Sequence, residues 1–276
     1  MARRLRRRPR SKDRTLSAPA ISPEAGFSAT IDDQLVTITL NRPERLNSQS
    51  PHTWNALTQL ASELPGTVRV AVLRGAGRAF SAGLDRDMFS PEGIPGVPSL
   101  LDLAKGTEAD ASTQIGEWQK ACDWSSRPSL VSIAAVQGHA IGAGFQLALG
   151  TDIRIVADDV QFSMAEPTLG LVPDLGGTKR LVDLIGPSRA MEIVLTGRRV
   201  GAEEALRIGL ASAVVPREEL DAAVDRTVQA LLAVDRGASA ETKSLLQQAS
   251  GRTQDEQQTA EREAQYRRMR ALAGLD

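Results

Sequence analysis

The chain has 276 residues, 41% of them hydrophobic and 24% charged, with a formal net charge of −1. A chain of this length buries roughly three quarters of the surface that its unfolded form exposes, so it needs neither disulfide nor metal staples. The single cysteine, Cys122, excludes an internal disulfide and a cysteine-built metal cage, and no apolar run approaches the roughly 18–20 residues that cross a bilayer.

Residues 1–14 hold eight basic groups and one acid, a net +7 that leaves −8 on the remaining 262 residues. This arm reads as a disordered extension; an acidic surface, nucleic acid or an import machinery are alternative partners. The acidic body argues against nucleic-acid binding by the folded part. Residues 1–24 lack a burial pattern and are expected to be dispensable for folding. The pattern of a soluble, cytoplasmic protein begins near Phe27.

Leu35–Leu40 alternates as a strand, and Asn41-Arg42-Pro43 ends it as a turn. Ser50-Pro51 opens a helix through about Leu64. Val68–Leu73 is a second strand, running into Gly75-Ala76-Gly77. Ser90–Pro98 reads as a surface loop, and a helix from about Thr107 must end before Pro128. Leu130–Val136 is a buried strand closed by Gly138, and Gly142–Leu149 is a small-residue helix. Asp152–Ala157 and Val160–Ser163 are strands, and Thr178–Ile185 is a helix ending at Gly186. From Ser188 onward the pattern is helical apart from a short strand at Ala211–Val215. Strands alternating with helices imply an α/β architecture with parallel pairing and a helical C-terminal region. Its amphipathic stretch Leu220–Leu232 offers more apolar surface than one small layer needs.

Strand, glycine turn and helix start occur twice, at 68–88 and 130–149. Small residues at such turns let a ligand approach the backbone, and helix N-termini present unpaired N–H groups. Two such turns can hold one oxyanion between them, as enolate chemistry requires; tight packing is the alternative reason for the small residues. Neither turn has the spacing of a dinucleotide fingerprint or a phosphate-binding loop.

Five segments in order, LNRPERLNS (40–48), GRAFSAGLD (77–85), AAVQGHAIGAGFQLALGTDIRI (134–155), QFSMAEPTLGLVPDLGGTKRL (161–181) and TGRRVGAEEALRIGL (196–210), resemble the crotonase, or enoyl-CoA hydratase/isomerase, superfamily. The resemblance implies a β-β-α spiral core over about 26–200 after a basic arm at 1–25. It also implies a helical oligomerisation region at 201–276, a homotrimer or homohexamer, and an acyl-CoA thioester as substrate. The oxyanion-hole donors fall on the N–H groups of Leu84 and Ala143, flanked by Gly83 and Gly142. Arg78 matches a basic position that meets the phosphorylated ribose of CoA, and Asp85 and Arg86 continue the segment bordering it.

The two hydratase glutamates fall on Gln146 and Glu166, so only one carboxylate remains. An amide can orient a ligand but cannot accept a proton near pH 7. Apolar neighbours should raise the proton affinity of Glu166 towards that of a general base. Asp174 stands where hydratases usually have glycine; it is either a relay partner for Glu166 or the cap of the following helix. The expected chemistry is proton transfer through an enolate, without metal or cofactor beyond the CoA of the substrate. Isomerisation is favoured over hydration, with a weakly catalytic acyl-CoA binder as a further alternative.

Overall fold

A computed structural model describes residues 15–16 and 20–275. The strands are β1 (Thr15–Leu16), β2 (Phe27–Asp32), β3 (Leu35–Leu40), β4 (Val70–Gly75), β5 (Val131–Val136), β6 (His139–Ile141), β7 (Ile153–Ala157), β8 (Gln161–Ser163), β9 (Val200–Gly201) and β10 (Ala213–Val215). The helices are α1 (Pro51–Glu63), α2 (Leu100–Lys105), α3 (Glu108–Gln119), α4 (Ala143–Leu149), α5 (Gly177–Ile185), α6 (Pro187–Thr196), α7 (Ala202–Arg207), α8 (Leu220–Ala233), α9 (Arg236–Gln248) and α10 (Gln254–Ala273).

Among the described residues these strands form two sheets. The larger runs β1-β2-β3-β4-β5-β7-β10, antiparallel across its first three strands and parallel beyond; the smaller is β6-β8-β9. Strands β5 and β7 each run straight into a short strand of the smaller sheet, and the chain after β4 does the same through a parallel bridge from Ser81 to Ala140. That repeated turn between two sheets is the spiral the family resemblance implies.

Burial explains the strand sequences. On β4 and β5, Ala71, Leu73, Ala134 and Val136 face the main core, while Val70, Val72, Ile133 and Ala135 face a second cluster under α8. Strands covered on both sides read as continuous apolar runs. In contrast, β3 buries only Val36, Ile38 and Leu40. Helix α1 starts at Pro51, and the Thr53 hydroxyl accepts a hydrogen bond from the Ser50 N–H at 3.3 Å.

Two expectations are corrected. Ala25 is fully buried and Ile21 packs against the core, while Thr15–Leu16 pairs with β2, so the folded body starts before residue 26. A Pro-broken segment buries single apolar anchors without any periodicity, which is why no pattern announced it. The cationic stretch 1–14 lies outside the described residues. The apolar stripe of α8 (Leu220, Ala223, Val224 and Val228) covers the chain's own sheet and leaves no surplus for assembly. Exposed apolar side chains occur instead on α6 (Met191, Leu195) and at the C-terminal end (Tyr266, Met269, Leu272, Leu275).

Helix α9 is tied to the sheet by a buried ion pair. Lys243 Nζ lies 2.9 Å from Asp152 Oδ2, which also accepts from the N–H and hydroxyl of Ser132. No helix among the described residues is long and apolar enough to cross a membrane.

Candidate active site

The two glycine turns lie side by side. The Phe80 N–H donates to Gln137 O at 2.8 Å, the Ser81 N–H to His139 O at 2.9 Å and the Ile141 N–H to Ser81 O at 3.0 Å. Gly83, at φ +91°, lies so close to the second turn that a Cβ there would sit 2.5 Å from Ile141 O and 3.4 Å from Ala143 N. Any larger residue would drive the turns apart.

Each turn then aims one N–H. A trans peptide points its carbonyl and its N–H in opposite directions. The Gly83 carbonyl accepts from the Gln49 N–H at 2.7 Å, so the Leu84 N–H faces away from Gln49. The Gly142 carbonyl accepts from the Gln146 N–H at 2.9 Å, so the Ala143 N–H points out of the N-terminus of α4. Neither N–H is taken up by another group among the described residues.

Gly142, at φ +51° and ψ −120°, supplies a backbone shape that L side chains rarely adopt. A Cβ on it would lie 3.1 Å from Glu166 Oε1, so the carboxylate sits directly beside the peptide that carries the Ala143 donor. Glu166 opens a short 3-10 turn, Glu166–Leu169, that Gly170 ends in a left-handed conformation. Its Oε1 accepts from Gln146 Nε2 at 2.8 Å, while Oε2 is buried and meets no hydrogen-bond donor among the described residues.

Gln146 is 1% exposed, and its orientation is settled by its neighbours. Its Oε1 accepts from the N–H groups of Leu175 (2.8 Å) and Gly177 (3.2 Å), which leaves its NH2 to donate to Glu166. Gly177 is glycine because a Cβ there would press within 2.8 Å of Gln146 Cγ.

Burial raises the proton affinity of Glu166; hydrogen bonds from its own backbone and from Gln146 oppose that rise, and the charge of Asp174 adds to it. Burial also raises the pKa of Asp174. The loop between them thus leaves Asp174 near enough for its charge to act on Glu166. Gly176, not Asp174, precedes α5, so the capping alternative for Asp174 fails. The carbonyl of Asp174 accepts from Gln119 Nε2 at 2.7 Å, which fastens the loop to the end of α3.

The remaining candidates divide. Arg78 and Arg86 are exposed. Asp85 is 3% exposed and turns inward, 2.9 Å from Arg42 and 3.2 Å from Arg45, with the Ser48 hydroxyl at 3.0 Å. Burial would raise its pKa, but the Asp87 N–H, Ser48 and Arg42 outweigh that and hold it low. Its carboxylate is thus spent on anchoring the loop. His139 lies between Arg199, 3.3 Å away, and the charge of Arg78; burial and both guanidiniums keep it neutral more readily. Burial pushes the Cys122 thiol up to about 12, so it stays protonated. Gln49, Leu175 and Gly177 belong to the site although they carried no sequence signal: two act through the backbone, and Gln49 sits in a polar stretch that reads as solvated.

Residues 30–272 match the family model described as enoyl-CoA hydratase/isomerase. The chain is 37% identical over 193 residues to the Mycobacterium bovis protein named "Probable enoyl-CoA hydratase echA8", covering 68% of each chain. It is 36% identical over 208 residues to carnitinyl-CoA dehydratase of Salmonella arizonae, covering 70% of each. Among solved structures, a Thermobifida fusca protein in complex with CoA is 45% identical with a TM-score of 0.88, over 94% of this chain and 99% of that one. Enoyl-CoA hydratase of Bacillus anthracis is 28% identical with a TM-score of 0.74, over 87% of this chain and 90% of that one.

The raised proton affinity of Glu166 carries a stability consequence. A carboxyl group with a folded-state pKa above its unfolded value contributes stability below the unfolded value and loses it as pH rises through the folded one. Glu166→Gln should therefore melt higher than the wild type at pH 8, and this gain should vanish near pH 4, where both forms are neutral. Melting curves at the two pH values check it.

Proposed function

The chain belongs to the enoyl-CoA hydratase/isomerase family, and from that premise we propose that it binds an acyl-CoA thioester and moves the double bond of the acyl chain by proton transfer. The observation that carries this reading is the bond from Gln146 Nε2 to Glu166 Oε1. It puts an amide at the position of the second hydratase glutamate, and it leaves Glu166 Oε2 as a buried acceptor ready to take a proton.

In the proposed reaction the thioester oxygen lies between the N–H groups of Leu84 and Ala143, which acidifies the carbon alpha to the carbonyl or the conjugated gamma carbon. Glu166 removes a proton, an enolate or dienolate forms, and a carboxyl group returns a proton at another carbon. Asp174 is the second proton carrier where the two carbons are far apart. The chain's own groups supply every step. Arg78 and Arg86, exposed along the first turn, are proposed to meet the nucleotide end of CoA; the Thermobifida fusca relative, solved with CoA, supports that ligand class.

Hydration is the second reading, favoured by the names of the relatives, which include a hydratase and a dehydratase. The chain is further proposed to assemble as a trimer or hexamer through the exposed apolar side chains of α6 and the C-terminal end.

Glu166→Gln should lower turnover by about 10²–10⁴-fold while leaving CoA affinity nearly unchanged, measured on a panel of 3-enoyl-, 2-enoyl- and 3,5-dienoyl-CoA. Wild-type hydration of the 2-enoyl substrate faster than isomerisation of the 3-enoyl one would decide for the second reading. Gln146→Glu should raise water addition, since the Leu175 and Gly177 N–H groups would hold the new carboxylate ionised. Light scattering at micromolar concentration should give a mass three or six times 29.5 kDa; a stable monomer would refute the assembly.

A further inference from the structure

We propose that Gln49 is a positioning residue of the oxyanion hole, setting the plane of the Gly83–Leu84 peptide and so the aim of the Leu84 N–H. The proposal rests on the reading of Leu84 as an oxyanion donor. Gln49 is fully buried between the Asn47 turn and the start of α1. Its backbone brackets Leu84: its N–H donates to Gly83 O and its carbonyl accepts from the Asp85 N–H, each at 2.7 Å.

The side chain secures the peptide before it, Ala82–Gly83, so that Gly83 is held on both sides. Oε1 accepts from Trp54 Nε1 at 2.8 Å, and because an indole N–H only donates, the amide orientation is settled. Nε2 donates to the Ser81 hydroxyl at 3.0 Å. That hydroxyl donates to Asn47 O at 2.7 Å and accepts from the Gly83 N–H at 3.2 Å. Gly83 is thus held at its carbonyl by the Gln49 backbone and at its N–H by the hydroxyl that the Gln49 side chain fixes.

A fully buried amide is a costly way to fill space, since an apolar side chain of similar size needs no partners. Here both polar atoms of the amide are bonded, and with the Gln49 backbone they hold the two peptides that flank Gly83. The network also reaches the acid–base loop. The Trp54 ring packs against Trp118, with centroids 5.3 Å apart, and the adjacent Gln119 holds the Asp174 carbonyl. Gln49 therefore stands in a chain of contacts that runs from the first turn to the backbone of the Asp174 loop.

The test is Gln49→Leu, which removes the side-chain bonds and keeps the backbone bracket. Three quantities are measured: kcat on the preferred thioester, Kd for free CoA, and the absorbance shift of a bound 2,4-dienoyl-CoA, whose conjugated carbonyl moves to longer wavelength as it is hydrogen-bonded. Gln49→Leu should lower kcat by about 10–100-fold and shrink the absorbance shift, with the CoA Kd changed less than about threefold. Trp54→Phe keeps a six-membered aromatic ring on the Trp118 side and removes the pyrrole half with the N–H bonded to Gln49; it should move the same readouts in the same direction, and it stands in if the leucine variant does not fold. Full kcat and full shift in a folded variant would overturn the role of Gln49 while leaving the oxyanion hole standing. Absence of any shift in the wild type would overturn the oxyanion reading and this proposal with it.

Discussion

Two peptide planes, each held by its carbonyl, govern the arrangement of the site. Because a trans peptide couples the direction of its C=O to that of its N–H, the chain aims the Leu84 and Ala143 donors by tying down the oxygens of Gly83 and Gly142. Both glycines stand at positive φ, and the fit between the turns leaves no room for a Cβ at 83. The larger sheet, the smaller sheet and the zipper from Phe80 to Ile141 are what bring the planes to one place. Donors set this way need no rearrangement when charge develops on a ligand, which is what the oxyanion role proposed for them requires.

Against that fixed pair of donors the acid–base side is set by a contest between burial and hydrogen bonding. Burial makes the Glu166 carboxylate hold its proton more tightly, while the Gln146 amide, pinned by two backbone N–H groups, pulls the other way. The amide restrains one oxygen and leaves the other bare. Asp174, also desolvated and within electrostatic reach, adds a second proton-binding group without touching the first through Gln146.

The strands and the two glycine turns were legible in the sequence because each has a local cause, apolar runs or small residues at helix starts; Glu166 stood out only through its place in a family motif. The two- and three-residue strands β6 and β9 were not, since so short a segment has no period and is defined by its partner. The inward turn of Asp85 depends on Arg42 and Arg45, some forty residues away, and no spacing rule reports it. Helix α8 shows the limit of amphipathicity: its stripe states that something covers it, not whether the cover is the chain's own sheet or another copy. Gln49 is the sharpest case. Its meaning lies in four partners, three in the first turn (Ser81, Gly83 and Asp85) and one on α1 (Trp54), which no local pattern announces.

The saturation of the Ser81 hydroxyl has a chemical consequence of its own. A serine three residues before the proposed oxyanion donor Leu84 would be a hazard to a thioester held there, since acyl transfer onto its oxygen would discharge CoA. Here the hydroxyl's proton is committed to Asn47 O and both lone pairs are occupied by Gln49 and Gly83. With no base to take its proton and no lone pair free to attack, Ser81 is disarmed as a nucleophile. In the proposed complex, the bonds that shape the first turn thereby also guard the acyl group against this hydroxyl.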